Sequence, residues 1–325
     1  MATRTKKGKV RQSAKPGGRV GALRKKYGAR AIDNIVRLNP HDFAELLEWR
    51  DRMDPHYTSL WLGFTYGGLF TRGILTDRVR LLVLIGQCVA QDELGPLGSH
   101  IRSALANGAS PREVLEVILQ VSVYVGYQKV ARAARICQQV VARLGRMDEI
   151  TRTQLPLDGR NSERTLERER PTWRVPDEAF PRREELMKKY GWQGISAGLR
   201  LQPTHHATTV DRLDRLDQNF LKLWLDFIYA GMYVRGVLDD KTRILCVVGV
   251  CIALDETVQG ENHIRAALML GASPREVLEV ALQSTAYVGM PRCLRATAIL
   301  ERVLKEQGRM AELTETQPPL PSPQG

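Results

Sequence analysis

One passage of the sequence is written twice. Gly108 to Tyr127 reads GASPREVLEVILQVSVYVGY and Gly271 to Met290 reads GASPREVLEVALQSTAYVGM, identical at 15 of 20 positions and 163 residues apart. The same offset pairs Lys25-Lys26-Tyr27-Gly28 with Lys188-Lys189-Tyr190-Gly191 and Leu60-Trp61-Leu62 with Leu223-Trp224-Leu225. It also pairs Arg72-Gly73 with Arg235-Gly236, His100-Ile101-Arg102 with His263-Ile264-Arg265, and Gly145-Arg146-Met147 with Gly308-Arg309-Met310. A register kept without insertion means that a whole structural unit has been duplicated, because chance likeness between two amphipathic helices drifts out of register. Whatever fold one copy adopts, the other must adopt too.

Each copy reads as helix. Asp54 to Phe70 and Asp217 to Tyr233 carry apolar residues at three- and four-residue spacing. Thr76 and Asp239 are suited to cap the next helices, whose bodies LLVLIGQCVA and ILCVVGVCIA are apolar on nearly every side and therefore central. Another helix spans about Glu93 to Ala106 and stops at Asn107-Gly108. Ser110-Pro111-Arg112-Glu113 and Ser273-Pro274-Arg275-Glu276 each place an N-cap, a proline at N1 and an acid at N3. The last helices run from about Gln128 to Leu144 and from Pro291 to Gln307. No alternating strand pattern occurs, so the expected fold class is all-α, a helical bundle domain present in tandem.

Net charge is +12, which in isolation suggests nucleic-acid binding. Its location argues otherwise: eleven Lys or Arg and no acid precede Asp33, so the remaining body is close to neutral. The domain reading is a basic, largely disordered tail over 1–32, a first domain over 33–147 and a linker over 148–181 with Trp173 as its anchor. A second domain over 182–313 and a disordered tail over 314–325 complete it. Nucleic acid or an acidic partner is expected only through residues 1–30, where no aromatic interleaves the basic residues before Tyr27. The N-terminus lacks the apolar stretch of a signal peptide and no apolar run reaches membrane-spanning length. Five cysteines without a Cys-x-x-Cys pair fit a reducing cytoplasm.

The strings FTYGGLFTRGILTDRVR and FIYAGMYVRGVLDDKTR, each followed by His-Ile-Arg, the Gly-Ala-Ser loop, REVLEV and YVG, resemble the carboxymuconolactone decarboxylase family. That family shares its helical fold with the AhpD-like alkylhydroperoxidases, and the similarity covers roughly 42–146 and 205–309. The resemblance implies a homo-oligomer, a trimer or a higher ring, and a cofactor-free lyase. Its substrate would be a small carboxylated lactone or similar acid, decarboxylated with histidine as the proton donor. The peroxidase branch uses Cys-x-x-Cys-x-x-His. Here Leu94 and Leu97 precede His100, and Thr257 and Gly260 precede His263, so no dithiol forms. The superfamily often places Glu 19 residues before the histidine; here Leu81 and Ile244 stand there.

Of six histidines only His100 and His263 occupy equivalent places in the two copies. Histidine suits proton delivery to the carbon left after carbon dioxide departs; the alternative is a histidine bridging a helix interface. Arg72, Arg235, Arg80 and Arg243 are the candidates for holding a carboxylate or enolate, or else form helix-end salt bridges. Tyr66, Tyr229, Tyr124 and Tyr287 either line a pocket or fill the core. Glu93 and Glu256 stand seven residues before the histidines, two helical turns away, while Glu113, Glu116, Glu276 and Glu279 read as helix-start and surface charges. His205-His206 reads as a lone pair in a loop, without metal-ligand spacing. Gly289-Met290-Pro291 matches the family's Gly-x-Pro turn where the first copy has Gly126-Tyr127-Gln128, which favours the second copy as the catalytic one. The competing function is a non-catalytic oligomeric scaffold with a decayed proton relay and a basic docking arm.

Overall fold

A computed structural model describes residues 16–156 and 180–318; residues 1–15, most of the expected linker with Trp173, and the last seven residues lie outside it. Among the described residues the regular structure is helical and no strand occurs. None of the described helices is long and apolar enough to cross a membrane. The chain packs as two compact units, Met1–Thr71 and Arg72–Gly325.

The first unit holds α1 (Pro16–Tyr27), α2 (Ala29–Leu38), α3 (Phe43–Met53) and α4 (Pro55–Leu62), which continues into a π-helical turn, Gly63–Gly68. Asp54 caps α4 by accepting from the Tyr57 amide, with Pro55 at the first helical position. The basic segment departs here from the expectation of a disordered tail to residue 32. Ala31, Ile32, Ile35 and Leu38 give α2 a buried face, and the cations of α1 find acids: Arg24 with Asp33 at 2.6 Å and Lys26 with Asp51 at 2.5 Å. Paired locally, these charges no longer repel one another as they would in an extended arm.

The second unit contains α5 (Asp77–Gln91), α6 (Leu94–Ala106), α7 (Pro111–Gln120), α8 (Ser122–Val125), α9 (Tyr127–Arg143) and α10 (Met147–Arg152). It also contains α11 (Arg183–Tyr190), α12 (Trp192–Leu201), α13 (Pro203–Leu216) and α14 (Gln218–Trp224), the last running into a π turn at Leu225–Tyr229. Then α15 (Asp240–Leu254), α16 (Thr257–Met269), α17 (Pro274–Val288), α18 (Met290–Glu306) and α19 (Met310–Glu315) repeat α5 to α10. Thr76 and Asp239 cap α5 and α15, and Ser110 and Ser273 close full capping boxes with Glu113 and Glu276. Asp92 and Asp255 end α5 and α15 in the left-handed conformation, φ 63° and 61°, a state aspartate tolerates better than most side chains. His205 and His206 lie in α13, not in a loop.

The centre of this unit is α5 against α15, buried along almost their whole length. The crossing is close because each helix presents a glycine. A Cβ on Gly249 would stand 2.7 Å from Val83 Cγ1, and one on Gly86 would stand 3.2 Å from Val250 Cγ2.

Around this crossing the two copies exchange charges reciprocally. Arg243 donates to Glu116 at 2.8 Å and to Gln120 at 3.1 Å, and Arg235 donates to Glu116 at 2.9 Å. The equivalent set is Arg80 to Glu279 at 3.1 Å, Arg80 to Gln283 at 2.9 Å and Arg72 to Glu279 at 2.8 Å. Glu116, Glu279 and Arg243 have fully buried side chains and Arg80 keeps 1% exposure. Glu116 and Glu279 are therefore not surface charges. Each sits on the α7 or α17 face that meets the other copy, and only paired arginine makes such burial tolerable.

Candidate active site

The two histidines shared by the copies meet tyrosines of the opposite copy. The His263 ring, on α16, packs edge-on to Tyr124 of α8 at 5.7 Å, and the His100 ring, on α6, packs edge-on to Tyr287 of α17 at 5.2 Å. Duplication thus produces two crossed His–Tyr pairs, and each needs both copies.

The His263 pair is elaborated further. Tyr124 Oη lies 2.8 Å from His263 Nε2 and 2.8 Å from Tyr233 Oη, forming a continuous chain from imidazole through two phenols. Gln202, at the end of α12, places its amide nitrogen 2.7 Å from His263 Nδ1. The same nitrogen lies 3.1 Å from His263 Nε2; the shorter contact, with the amide donating to Nδ1, is the one that leaves the ring proton on Nε2 facing Tyr124. His263 is 3% exposed, and burial pushes its pKa down to about 3. The opposite holds for the phenols: burial raises Tyr124 well above its ordinary value and Tyr233 to about 12. At neutral pH the cluster is an uncharged chain of donors with every hydroxyl protonated.

An aromatic wall backs the cluster. Tyr229, raised by burial, lies 5.6 Å from the Tyr233 ring and 4.4 Å from the His206 ring, which stacks on Trp224. His206 is wholly buried with no hydrogen-bond partner at either ring nitrogen, and burial holds its pKa at about 3. The ring lies where a side chain on Gly198 would be, Cε1 only 2.0 Å from that Cβ position, so the glycine makes room for it. Arg243 sits 5.8 Å above the Tyr233 ring while bound to Glu116.

Beside the cluster a cleft of about 340 Å³ is lined by Gln202, Asn262 and Gln307, by His205 and Arg265, and by the apolar Ala266 and Met269. Gln202 belongs to both: its amide faces His263 and the residue lines the cleft.

The other residues singled out in the sequence are distributed differently. Tyr66, in the first unit, is buried and accepts from Asn39 at 3.1 Å; burial raises it to about 12. Glu93 and Glu256 are exposed residues at the helix starts of α6 and α16 and are not brought to the histidines. Arg72, Arg80, Arg235 and Arg243 are gathered around Glu116 and Glu279. Leu81 and Ile244, where the superfamily often has Glu, are core residues, 2% and 0% exposed. All five cysteines are buried free thiols. Sequence reasoning missed Gln202 and Tyr233 and read His206 only as half of a loop pair. They align with Asn39, Phe70 and Phe43, so a search for residues common to both copies passes over them; the signal was the difference itself.

These features define a duplicated protein, helical throughout its described residues, with a buried hydrogen-bonded histidine–tyrosine chain shared between its halves and no thiol pair beside it. The chain belongs to the carboxymuconolactone decarboxylase family, whose model matches residues 55–139 and 218–302. It is 32% identical over 118 residues to an uncharacterised 15.0 kDa protein of Paracoccus denitrificans, covering 36% of this chain and 75% of that one. It is 27% identical over 117 residues to a 4-carboxymuconolactone decarboxylase of Acinetobacter baylyi, covering 36% of this chain and 87% of the relative. A nitrosuccinic acid decarboxylase of Metarhizium robertsii is 25% identical over 85 residues, 26% of this chain and 59% of that protein.

Proposed function

We propose that the protein is a cofactor-independent decarboxylase acting on a small carboxylated lactone or similar acid, with the His263 cluster handling the proton. The observation that carries this reading is the hydrogen-bonded run Gln202–His263–Tyr124–Tyr233 beside a small-molecule-sized cleft. Two relatives bear decarboxylase names, one for a carboxylated lactone and one for nitrosuccinic acid.

In such a reaction the bond to the carboxyl carbon breaks, carbon dioxide leaves, and the electron pair moves onto the neighbouring carbonyl as an enolate. The tyrosine hydroxyls, protonated at neutral pH, donate hydrogen bonds to that developing oxyanion. The vacated carbon then takes the Tyr124 hydroxyl proton, which the His263 Nε2–H replaces while Nδ1, once the Gln202 amide turns aside, takes a proton from water, so that the ring stays neutral throughout. Because His263 stays neutral, it supplies the Nε2 proton and not an imidazolium charge. Arg243 and Arg235, held by Glu116, act on the site through Tyr233, and the His100–Tyr287 pair is the structural counterpart. A homo-oligomer accords with the exposed Phe220, Leu223 and Phe227, 53%, 62% and 54% accessible on one helical stripe.

The test is carbon dioxide release from 4-carboxymuconolactone by wild type, His263→Gln and His100→Gln. His263→Gln is expected to lose about 100-fold or more in kcat, the scale of general acid–base contributions, with His100→Gln near wild type. Wild-type turnover in a variant carrying both substitutions would remove histidine from the mechanism, whereas no carbon dioxide release by wild type would favour the scaffold reading, which the apolar Leu81 and Ile244 also fit.

A further inference from the structure

We infer that the first copy carries an oxyanion site apart from the His263 cluster: a cleft between the start of α7 and the end of α10, lined by Arg112 and Arg152, that takes a phosphate-type dianion. The inference does not depend on the decarboxylase reading.

Three observations lead there. First, the cleft has room. It measures about 290 Å³ and is lined by Ser110, Pro111, Arg112, Glu149, Arg152 and Thr153, close to the size at which small-ligand sites begin, about 300 Å³. Second, its two guanidiniums are not neutralised. Arg112 donates only to neutral acceptors, Thr153 Oγ1 at 3.1 Å and the Ile150 carbonyl. Arg152 donates to the Asp148 carbonyl at 3.4 Å and not to its carboxylate. The lining carboxylate, Glu149, is held by Arg146 through both oxygens, at 2.5 and 2.8 Å. Among the described residues neither Arg112 nor Arg152 forms an ion pair. Burial and then the nearby charge of Arg235 hold the Arg112 guanidinium below its ordinary pKa, and Arg235 itself shares the Glu116 carboxylate with Arg243. A guanidinium fork donates two parallel N–H bonds to a phosphoryl group, and two unmatched guanidiniums match two negative charges carried on one small group. Third, the second copy keeps the same scaffold with one sign reversed. Ser273, Pro274, Arg275, Glu312 and Thr316 repeat Ser110, Pro111, Arg112, Glu149 and Thr153, but Glu315 stands where Arg152 does. The contacts repeat too: Arg275 donates to the Leu313 carbonyl and to Thr316 Oγ1 at 3.4 Å, and Arg309 holds Glu312 at 2.5 and 2.8 Å. The second copy therefore offers one cation and one acid where the first offers two cations, which leaves one oxyanion site per chain.

The experiment is calorimetric titration of the full-length protein with inorganic phosphate, glycerol 3-phosphate and succinate at matched ionic strength. Wild type is expected to bind one phosphate per chain. Arg152 and Glu315 are both exposed at helix ends, so replacing either leaves the core intact. Arg152→Glu, which copies the second half, is expected to weaken phosphate binding about tenfold or more, because a like charge then faces the ligand. Arg152→Lys, which keeps the charge, should retain most of the affinity. Glu315→Arg is expected to add a second phosphate per chain. Glycerol 3-phosphate bound at least as tightly as phosphate assigns the site to a phosphorylated metabolite, and a preference for phosphate assigns it to the free ion; both support the site. No saturable phosphate binding, unchanged affinity in Arg152→Glu, a single phosphate in Glu315→Arg, or succinate bound as tightly as phosphate would each overturn the inference.

Discussion

Removing the Glu116 carboxylate should show how far the stability of the second unit depends on charge exchanged between the two copies. Glu116→Ala leaves the Arg243 guanidinium, whose side chain has no solvent exposure, without the carboxylate now 2.8 Å away, and strips Arg235 of its partner at 2.9 Å. Breaking a buried pair by deleting one member costs about 3–5 kcal/mol, because the surviving charge is neither solvated nor matched. Glu113→Ala is the internal control on the same helix. It loses a capping-box contact and an ion pair with Arg78 whose side chain is 29% exposed, together about 1–2 kcal/mol. Urea unfolding followed by far-ultraviolet circular dichroism and tryptophan fluorescence measures both. For a unit of this size the Glu116 variant should melt roughly 6–20 °C lower, at about 2–4 °C per kcal/mol. Replacing Glu116 and Arg243 together by Met should cost less than Glu116→Ala, since no fully buried charge is left bare and Arg235, 27% exposed, reaches solvent. A loss below about 1 kcal/mol in Glu116→Ala, or a double variant as unstable as the single one, would refute the claim that the buried charge dominates.

Two further outcomes follow from close packing and from the buried imidazoles. Gly249→Ala should destabilise more than Gly86→Ala in the same denaturation assay: overpacking against Val83 costs about 1–3 kcal/mol and exceeds the helix-propensity gain of about 1 kcal/mol. Adding Val83→Ala should restore most of the loss, and an equal effect of the two alanines would contradict the asymmetric clearance. His206 and His263 stay neutral in the fold down to about pH 3 but protonate near 6.5 when unfolded, so stability is full above 6.5 and falls as pH drops from 6.5 toward 3. The slope is about 1.4 kcal/mol per pH unit for each group, and His206→Phe, the residue type found at Phe43 in the first copy, should remove its share. An unchanged difference in stability between pH 7 and pH 4.5 in that variant would show that His206 is not neutral in the fold.

The helical class and the duplication were legible because both are periodic. Caps such as Ser110 and Asp239, stops such as Gly108 and the apolar bodies of α5 and α15 are local signals, and local signals survive in a single sequence. Charge pairing across the duplication was not legible: Glu116 reads as a surface acid until α7 is seen to face Arg243, 127 positions away. The same limit applies to the site. His263 was found because the copies share it, whereas Gln202 and Tyr233 were hidden because the copies differ there. The expected glutamate relay is absent at Leu81 and Ile244, and the phenols that stand beside His263 come partly from the other copy, which no intracopy spacing could show.

The reciprocal exchange, Arg243 to Glu116 one way and Arg80 to Glu279 the other, is the contact pattern of a symmetric dimer enclosed in one polypeptide. Two identical subunits must dissociate on dilution and must mutate in step, since every substitution appears on both sides of the axis. Tethered halves escape both constraints. Their association becomes intramolecular and independent of protein concentration, and either half is free to drift while the other holds the partner contacts. Phe70 in the place of Tyr233 and Asn39 in the place of Gln202 are the record of that freedom.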